Sequence, residues 1–529
     1  MNYQPTINET SEKVSGEPGA GEQPAILPAG KTAGVGMHFA SLAGPYGIGD
    51  IADSAHAFVD TLASMKIGVW QFLPTGPTAY GDSPYQPLSA FAGNEMLIGI
   101  EPLIRLGLLT TDEAEVLTEF SSGNVDYGNL IPAKHALLAR AAGRFSSTVS
   151  AGLKSAFEAF LHLHDSRWLG DYAIYRILKT QHGERPWPEW DTAFVHREQG
   201  AMQKVREDNR EAIEHIKIIQ FLFDQQWHAL KRYANENGVH LFGDMPIYIA
   251  LDSADAWAHP EILLIDKDGK PSHVSGVPPD YFSADGQLWG NPLYDWEFHK
   301  SNGYQWWIER MQHAANQSDL VRIDHFRGFE AFWSVEFSAE TARDGEWLPG
   351  PRDALFDSMQ AALGNLPIVA EDLGVITPEV DGLRHRHHLP GMKVLQFEVG
   401  DPSFNLGDVE DNCVCYTGTH DNDTTVGWFN GGDEDTRTEQ ELIAEQQAAL
   451  KVTGGTPETI HLDMIRLAFN SKAKLAIAPM QDFLGLGSDS RLNIPGTTLN
   501  NWRWRVSEEQ LSPEFCKLVA GLVEETSRY

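Results

Sequence analysis

The sequence has 529 residues, of which 42% are hydrophobic, and its net charge is −34 at pH 7. The large apolar share excludes a disordered chain and supports an extensive buried core. The strong negative charge would repel a phosphate backbone, so we exclude nucleic acid as a partner.

The N-terminal residues 1–30 are rich in Gly, Pro, Glu and Ser and predict a flexible leader. They lack the basic start and apolar core of a signal peptide. No apolar run approaches the roughly 20 residues that a membrane span needs. The three cysteines, Cys413, Cys415 and Cys516, do not suit a disulfide scaffold. We therefore expect a soluble, cytoplasmic protein that does not contact a membrane.

Eight short apolar runs follow the leader and predict strands. They are Gly34–Phe39, Ile67–Leu73, His240–Tyr248, Leu320–Phe326, Pro367–Leu373, Met392–Phe397, Cys413–Tyr416 and Lys474–Met480. Stretches with helical spacing lie between most of them, such as Ile51–Lys66, Arg352–Leu363 and Thr377–His388. Strands that alternate with helices indicate a parallel sheet, and eight such units predict an α/β fold of the (β/α)8 TIM-barrel type.

The chain is longer than a simple barrel requires, and the surplus lies in three segments. We predict one barrel domain over residues 31–529, with inserted subdomains at about 95–236, 252–310 and 425–470. The first and third segments have helical patterns, and Asn237-Gly238 supplies a helix stop at the end of the first. The second segment is aromatic and is predicted to form loops.

Acidic residues follow four of the predicted strands. The third strand runs into Asp244, the fourth contains Arg322-Ile323-Asp324-His325, the fifth ends in Glu371-Asp372, and the seventh is followed by His420-Asp421. A single Asp at such a place is more often a helix cap or turn former. The active site of a barrel, however, lies at the carboxyl ends of its strands. Four carboxylates at one rim therefore indicate a catalytic site.

Arg322 and Asp324 are two residues apart on a predicted strand, so both side chains point to the same face. A guanidinium group beside a carboxylate favours the charged form. We therefore expect Arg322 to lower the pKa of Asp324.

Three of these segments resemble the catalytic motifs of the amylomaltases, 4-α-glucanotransferases of the α-amylase clan. They are Asp324-His325-Phe326-Arg327-Gly328, Glu371-Asp372-Leu373-Gly374 and Thr419-His420-Asp421-Asn422-Asp423-Thr424. The segments 41–50, 81–86, 278–292 and 493–497 also resemble that family, and the similarity extends from about residue 33 to Arg505. The chain departs from the family pattern at Phe39-Ala40 and at Asn94-Glu95-Met96.

The resemblance implies a transferase of carbohydrate metabolism that disproportionates maltooligosaccharides. Donors would be α-1,4-glucans and maltooligosaccharides from starch or glycogen, and acceptors would be glucose or maltooligosaccharides. Asp324 would be the nucleophile, Glu371 the general acid/base, and Asp421 the residue that binds the distorted sugar ring. The resemblance also implies a monomer or a homodimer, catalysis without a metal or cofactor, and cyclic glucans as further products.

The same resemblance indicates residues that bind substrate. They are Ser83, Tyr85, Asp244, Tyr281, Phe282, Gln287, Trp289, Arg322, His325, His420 and Asn493. The aromatic loop around Tyr281, Phe282 and Trp289 would stack on sugars and displace water, which favours transfer over hydrolysis. Its alternative role is a core cluster or a subunit contact.

Two other functions remain open at this stage. One is hydrolysis by an enzyme of the amylase clan. The other is glucan binding by an inactive barrel. The presence of all three acidic residues disfavours an inactive barrel, and the products formed from maltotriose distinguish a transferase from a hydrolase.

Overall fold

The computed structural model describes residues 26–120, 123–279, 285–432 and 435–529. These ranges contain the following strands: β1 (Thr32–Gly36), β2 (Val69–Gln71), β3 (His240–Pro246), β4 (His273–Val277), β5 (Gln287–Pro292), β6 (Leu320–Asp324), β7 (Ala331–Glu336), β8 (Gly345–Pro349), β9 (Ile368–Ala370), β10 (Gly391–Val394), β11 (Cys413–Tyr416) and β12 (Leu475–Pro479).

The same ranges contain α-helices of very different lengths. The first ten are α1 (Asp53–Ser64), α2 (Ile100–Arg105), α3 (Thr111–Thr118), α4 (Tyr127–Thr148), α5 (Ala151–His164), α6 (Gly170–Gln181), α7 (Thr192–Val195), α8 (Gln199–Asp208), α9 (Arg210–Glu236) and α10 (Ala254–Ala258). The others are α11 (Trp296–Ser301), α12 (Gln305–Gln317), α13 (Asp353–Leu363), α14 (Pro378–Arg386), α15 (Leu395–Glu398), α16 (Thr425–Asn430), α17 (Glu439–Thr453), α18 (Ile460–Asn470), α19 (Met480–Phe483) and α20 (Pro513–Glu525).

Eight strands form a parallel sheet in the order β10-β11-β12-β1-β2-β3-β6-β9. The backbone N–H of Ala370, at the end of β9, donates a hydrogen bond of 2.8 Å to the carbonyl of Pro390, just before β10. This contact joins the two outer strands and closes the ring. Each strand overlaps one of the eight predicted apolar runs, although β1 begins two residues before its run and β10 begins one residue before its run. The predicted (β/α)8 barrel is therefore confirmed.

The strands of the barrel are mostly apolar because both of their faces are buried, and the charged residues of β3 and β6 lie toward their carboxyl ends. Val69, Val414 and Ile477 belong to a buried cluster formed by side chains of seven of the strands. Trp70, which follows Val69 on β2, instead belongs to the larger cluster shared with the surrounding helices. Alternate residues thus fill the barrel interior and pack against the outer helices.

The predicted flexible leader of residues 1–30 lies mostly outside the described residues. Leu27, which is described, is 3% exposed and packs in the same cluster as Val69 and Phe242 of the strands. The prediction of a flexible segment is therefore wrong for Leu27, because an apolar side chain that enters the barrel gains burial free energy when it is ordered.

Helices α2 to α9 lie between β2 and β3, where the sequence predicts a helical insertion. The longest, α9, contacts α1, α4 and α6 as well as β3. Its residues Phe223, Trp227 and Leu230 are buried, as their helical spacing predicts. The helix ends at Glu236, and Gly238 then adopts a φ of 75°. The predicted helix stop is confirmed.

The second segment, 252–310, is more regular than the predicted loops. It contains α10, α11, part of α12 and the strands β4 and β5. These two strands pair with β7 and β8 in an antiparallel sheet of order β5-β4-β7-β8. The prediction of loops is wrong here because β5 is exposed along most of its length and so lacks the apolar pattern of a buried strand.

The third segment, 425–470, contains α16, α17 and α18. Where each insertion begins and ends as a subdomain stays a prediction. All three cysteines are buried and free. Across the described ranges, no helix has both the length and the apolar character of a membrane span.

Candidate active site

The acidic residues reach one rim because parallel strands end at the same edge. Asp324 is the last residue of β6, and Glu371 directly follows the neighbouring strand β9. The backbone N–H of Glu371 donates to the carbonyl of Ile323 over 3.1 Å, which extends the ladder by one residue. On the other side of β6, Asp244 of β3 is in register with Arg322.

Arg322 links two of these carboxylates. Its Nη1 donates to Asp244 Oδ2 over 2.6 Å, and its Nη2 donates to Asp324 Oδ1 over 2.8 Å. The hydroxyl of Tyr85 donates to the same Asp244 oxygen over 2.6 Å. The Asp244 side chain is only 1% exposed. It therefore holds Arg322 and Tyr85 in place, and its predicted contact with substrate stays a prediction.

The pKa of Asp324 is raised, chiefly by burial. Arg322 lowers it, as we expected, while the Asp244 and Asp421 carboxylates raise it further. The effect predicted for Arg322 is thus confirmed, but burial outweighs it, and the net shift of the Asp324 pKa is upward.

Glu371 is held by two backbone donors. The N–H of His325 donates to Oε2 over 2.7 Å, and the N–H of Leu373 donates to Oε1 over 2.8 Å. His325 adopts a left-handed φ of 54°, which is uncommon for a residue other than glycine and marks a constrained turn. Burial raises the pKa of Glu371 to about 7, against the opposing effect of Arg322 and with the help of Asp324.

Asp421 is fixed by residues that come from two different parts of the chain. Asn493 Nδ2 donates to its Oδ1 over 2.6 Å, and His420 Nε2 lies 3.3 Å from its Oδ2. Arg491 donates from Nη2 to the Asp421 backbone carbonyl over 2.7 Å. The structure thus brings the predicted residues His420, Asp421 and Asn493 together.

Aromatic rings border the site on two sides. Tyr85 stacks on His420 with ring centroids 5.1 Å apart, and Trp502 lies 6.0 Å from His420 in a tilted arrangement. On the other side, the Trp289 ring meets His325 edge-on at 4.6 Å.

Three other predicted substrate residues, Ser83, Gln287 and Trp289, belong to the described part of the chain. Trp289 Nε1 donates to Gln287 Oε1 over 3.1 Å, so these two residues of β5 are paired with each other. Ser83 Oγ accepts from the N–H of Tyr85 over 3.3 Å and shapes the turn before that ring. Tyr281 and Phe282 lie outside the described residues.

Three residues near the site escaped the sequence analysis. Arg491 and Trp502 come from the C-terminal part of the chain and reach the site only through the tertiary fold. His38 lies two residues after the end of β1, so the strand-end rule applied to acidic residues could have found it. It shares a cavity with Arg322 and His420, and burial together with the charge of His420 lowers its pKa to about 3. At neutral pH it is therefore uncharged.

The arrangement suits acid/base and nucleophilic chemistry on a neutral polar substrate. One carboxyl group, Glu371, titrates near neutral pH, and another, Asp324, accepts a hydrogen bond from a guanidinium group. Two such groups on neighbouring strands, with different surroundings, meet the requirement for separate acid and nucleophile roles. Within the described ranges, no group of three or more His, Cys, Asp or Glu side chains is arranged to hold a metal ion.

Known proteins with the same sequence pattern and fold are 4-alpha-glucanotransferases. The enzyme of that name from Synechocystis sp. is 44% identical over 91% of this chain and 95% of its own length. The enzyme from Thermus thermophilus is 43% identical over 94% of this chain and 98% of its own length.

Solved structures agree with these sequence relatives. The amylomaltase from Streptococcus agalactiae, solved in complex with acarbose, is 35% identical and superposes with a TM-score of 0.89 over 94% of this chain and 99% of its own. The family model described as 4-alpha-glucanotransferase matches residues 37–511, a range that includes Asp324, Glu371 and Asp421. The chain therefore belongs to the 4-alpha-glucanotransferase family.

Proposed function

We propose that the chain transfers a segment of an α-1,4-glucan to the 4-hydroxyl group of glucose or a maltooligosaccharide by retaining double displacement. Asp324 attacks the anomeric carbon while Glu371 protonates the departing glycosidic oxygen, and a glycosyl-enzyme forms. Glu371, now a carboxylate, then removes the proton of the acceptor hydroxyl as that oxygen displaces Asp324. The anomeric configuration is inverted twice and so retained.

The observation that carries this proposal is the different surroundings of two carboxyl groups on adjacent strands. The pKa of Glu371 is raised to about 7, so a large fraction of it is protonated at neutral pH and can act as an acid. Asp324 accepts a charge-assisted hydrogen bond from Arg322, which holds the oxygen pair in a fixed orientation for attack.

Asp421 and His420 are proposed to bind hydroxyl groups of the ring that is being cleaved. Both carry polar atoms at the rim, and Asn493 and Tyr85 restrict their orientation. Hydrogen bonds of this kind accelerate the reaction when they strengthen in the oxocarbenium-like transition state. The amylomaltase from Streptococcus agalactiae was solved in complex with acarbose, which supports the binding of a sugar of this kind by this chain.

Trp289 is proposed to favour a sugar acceptor over water. The Trp289 ring contacts His325, and the backbone N–H of His325 donates to Glu371. A sugar stacked on the Trp289 ring would therefore lie beside the acid/base group, where the acceptor must bind. We propose Gln287 and Ser83 as further contacts. Cyclic glucans would form when the acceptor is the other end of the same chain.

Incubation with maltotriose tests the transfer. We expect glucose together with maltopentaose and longer oligosaccharides, while the total number of reducing ends stays constant, because each cleavage is matched by a new glycosidic bond. A rise in reducing ends without products longer than maltotriose would show a hydrolase and contradict the proposal.

The matched control is Glu371→Gln, which keeps the size of the side chain but removes the titratable proton. We expect kcat to fall by about 10³-fold, the typical contribution of a general acid. Acarbose binding, measured by calorimetry, should persist. Full activity in this variant would exclude Glu371 as the acid/base residue.

A further inference from the structure

A buried carboxylate outside the substrate cleft holds the loop that carries His420 and Asp421. Asp482 lies in α19, directly after β12, and is 1% exposed. It accepts hydrogen bonds from Thr417 Oγ1 over 2.6 Å, from the Thr425 backbone N–H over 2.6 Å and from Thr425 Oγ1 over 2.8 Å.

These three bonds bind both ends of one segment, residues 417–425, which we call the 417–425 loop. Thr417 is the first residue after β11, and Thr425 is the first residue of α16. The Asp482 side chain, which lies just after the neighbouring strand β12, therefore fixes the distance between the first and last residues of the loop.

Several other hydrogen bonds each hold only one part of the loop. Asn422 Oδ1 accepts from the N–H of Thr419 over 2.9 Å, which shapes the middle of the loop. Gln396 Nε2 donates to the carbonyl of Asp423 over 3.0 Å, and Ser488 Oγ donates to Asp423 Oδ2 over 2.6 Å. None of these bonds joins Thr417 to Thr425, whereas Asp482 binds both.

The environment makes the Asp482 contacts hard to replace by water. Thr417 and Thr425 are both fully buried. Removal of the carboxylate would leave two hydroxyl groups and one backbone N–H without their acceptor in a region closed to solvent. A buried donor without an acceptor costs free energy, so we expect the loop to move until these groups find other acceptors.

We propose that Asp482 is a positioning residue for the transfer reaction, because it fixes the 417–425 loop so that His420 and Asp421 face the sugar ring. This inference rests on the role proposed above for Asp421. Its effect should fall on kcat more than on KM, since the bonds made by Asp421 are expected to strengthen in the transition state. A displacement of about 1 Å in such a group can cost about 100-fold in rate.

Two substitutions at position 482 separate the carboxylate's geometry from its charge. Asp482→Asn retains an oxygen that accepts from the Thr425 N–H, and its NH₂ group can donate to the threonine hydroxyls, which accept as well as donate. Asp482→Ala removes all three contacts. Thr417→Val removes one contact and leaves the carboxylate in place, which provides a milder test.

Asp50 offers a matched control. It is 6% exposed and accepts from the N–H groups of Ala52 and Ser54 and from Ser54 Oγ, over 2.8, 3.1 and 3.1 Å. It thus resembles Asp482 in burial and in the number of its donors, but its hydrogen bonds stay within residues 50–54. Asp50→Ala therefore reports the general cost of losing such a carboxylate.

The measurements are kcat and KM for maltotriose and the Tm of each variant. We expect Asp482→Ala to lower kcat by about 100-fold and to change KM much less. Asp482→Asn should recover most of the kcat, and Thr417→Val should lie between the wild type and Asp482→Ala. Asp50→Ala should lower Tm but keep a kcat close to that of the wild type.

A folded Asp482→Ala protein with unchanged kcat, or an Asp50→Ala protein that loses as much kcat, would overturn the inference. If Asp482→Ala does not fold, an unchanged kcat in Thr417→Val overturns it instead. Asp421→Asn separates this failure from that of the proposed function. If that variant keeps full kcat, the role proposed for Asp421 is wrong, and if it loses kcat while Asp482→Ala does not, only the positioning role is wrong.

Discussion

The Glu371 carboxyl group is subject to opposing effects on its proton affinity. Burial raises its pKa and is the largest effect, and the nearby charge of Asp324 acts in the same direction. Arg322 and the N–H groups of His325 and Leu373 stabilise the carboxylate and lower the pKa. The result, a pKa of about 7, is suited to a group that must donate a proton in one step and accept one in the next.

This balance predicts the basic side of the pH–rate profile. The acid form of Glu371 is needed for the first step, so we expect kcat/KM for maltotriose to be high below pH 7 and to fall as the pH rises through about 7. The decline should approach tenfold per pH unit, because one proton is lost. Initial rates between pH 5 and 9 at constant ionic strength would measure it.

The Asp324→Asn variant supplies the control for this assignment. It removes a neighbouring negative charge, so the pKa of Glu371 should decrease even though the variant is inactive. A titration of the Glu371 carboxyl carbon by NMR would detect the shift. A flat kcat/KM up to pH 9, or an unchanged Glu371 titration in Asp324→Asn, would contradict the proposed origin of the proton.

At the scale of secondary structure, two glutamines of α9 make hydrogen bonds to the chain segment that follows the loop containing Tyr85. Gln220 binds both the N–H and the carbonyl of Gly93, over 2.8 and 2.9 Å. Six residues later, Gln226 binds the N–H and the carbonyl of Gly99, over 2.7 and 3.1 Å. Each buried glutamine amide thus accepts from the N–H and donates to the carbonyl of one residue, which is the pair of hydrogen bonds that a neighbouring β-strand would make.

The Gln226→Leu substitution should destabilise the protein although it makes the helix more apolar. It would leave the buried N–H and carbonyl of Gly99 without their partners, at a cost of about 2 kcal/mol or more. Urea denaturation followed by fluorescence would measure the change. Gln225→Leu is the control, since Gln225 is only half-buried, and an equal loss in both variants would refute the special role of Gln226.

The barrel strands could be predicted from the sequence, but the antiparallel sheet could not. Strands such as β12 are buried on both faces and therefore read as continuous apolar runs. In β8, no residue of Gly345–Pro349 is buried, and in β5 only the last two residues are. A strand whose side chains stay exposed has no reason to carry a periodic pattern, and only its pairing with other strands defines it.

At the scale of the whole molecule, some residues of the site could likewise be predicted from the sequence and others could not. Asp324 and Glu371 could be predicted because residues at the carboxyl ends of adjacent parallel strands must lie near each other. Asp482 and Trp502 could not, since their partners are determined by how the loops fold over the rim. The direction of the Asp324 pKa shift also escaped prediction, because burial of a group depends on surroundings that the local sequence does not define.

The two ends of the barrel domain meet at the opposite end of the barrel from this rim. Arg528 is fully buried, and its guanidinium group donates to the carbonyls of Ala473 and Ser471 over 2.9 and 3.0 Å. It also donates to the carbonyl of Thr32, the first residue of β1, over 3.4 Å. The backbone carbonyl of Arg528 in turn accepts from the N–H of Ala33 over 3.1 Å. One residue thus ties the first and last strands of the barrel to the C-terminus.

Arg528→Met should therefore reduce stability without affecting catalysis. The substitution keeps much of the apolar stem but leaves several buried carbonyl groups without donors, which we expect to cost about 3 kcal/mol. The kcat of the folded protein should stay the same, because Arg528 lies at the amino ends of the strands. Lys66→Met removes an exposed ion pair with Glu524 of α20 and should destabilise the protein much less than Arg528→Met, because solvent screens exposed charges. Equal unfolding free energies for the two variants, measured in urea, would show that the buried guanidinium group does not hold the barrel ends together.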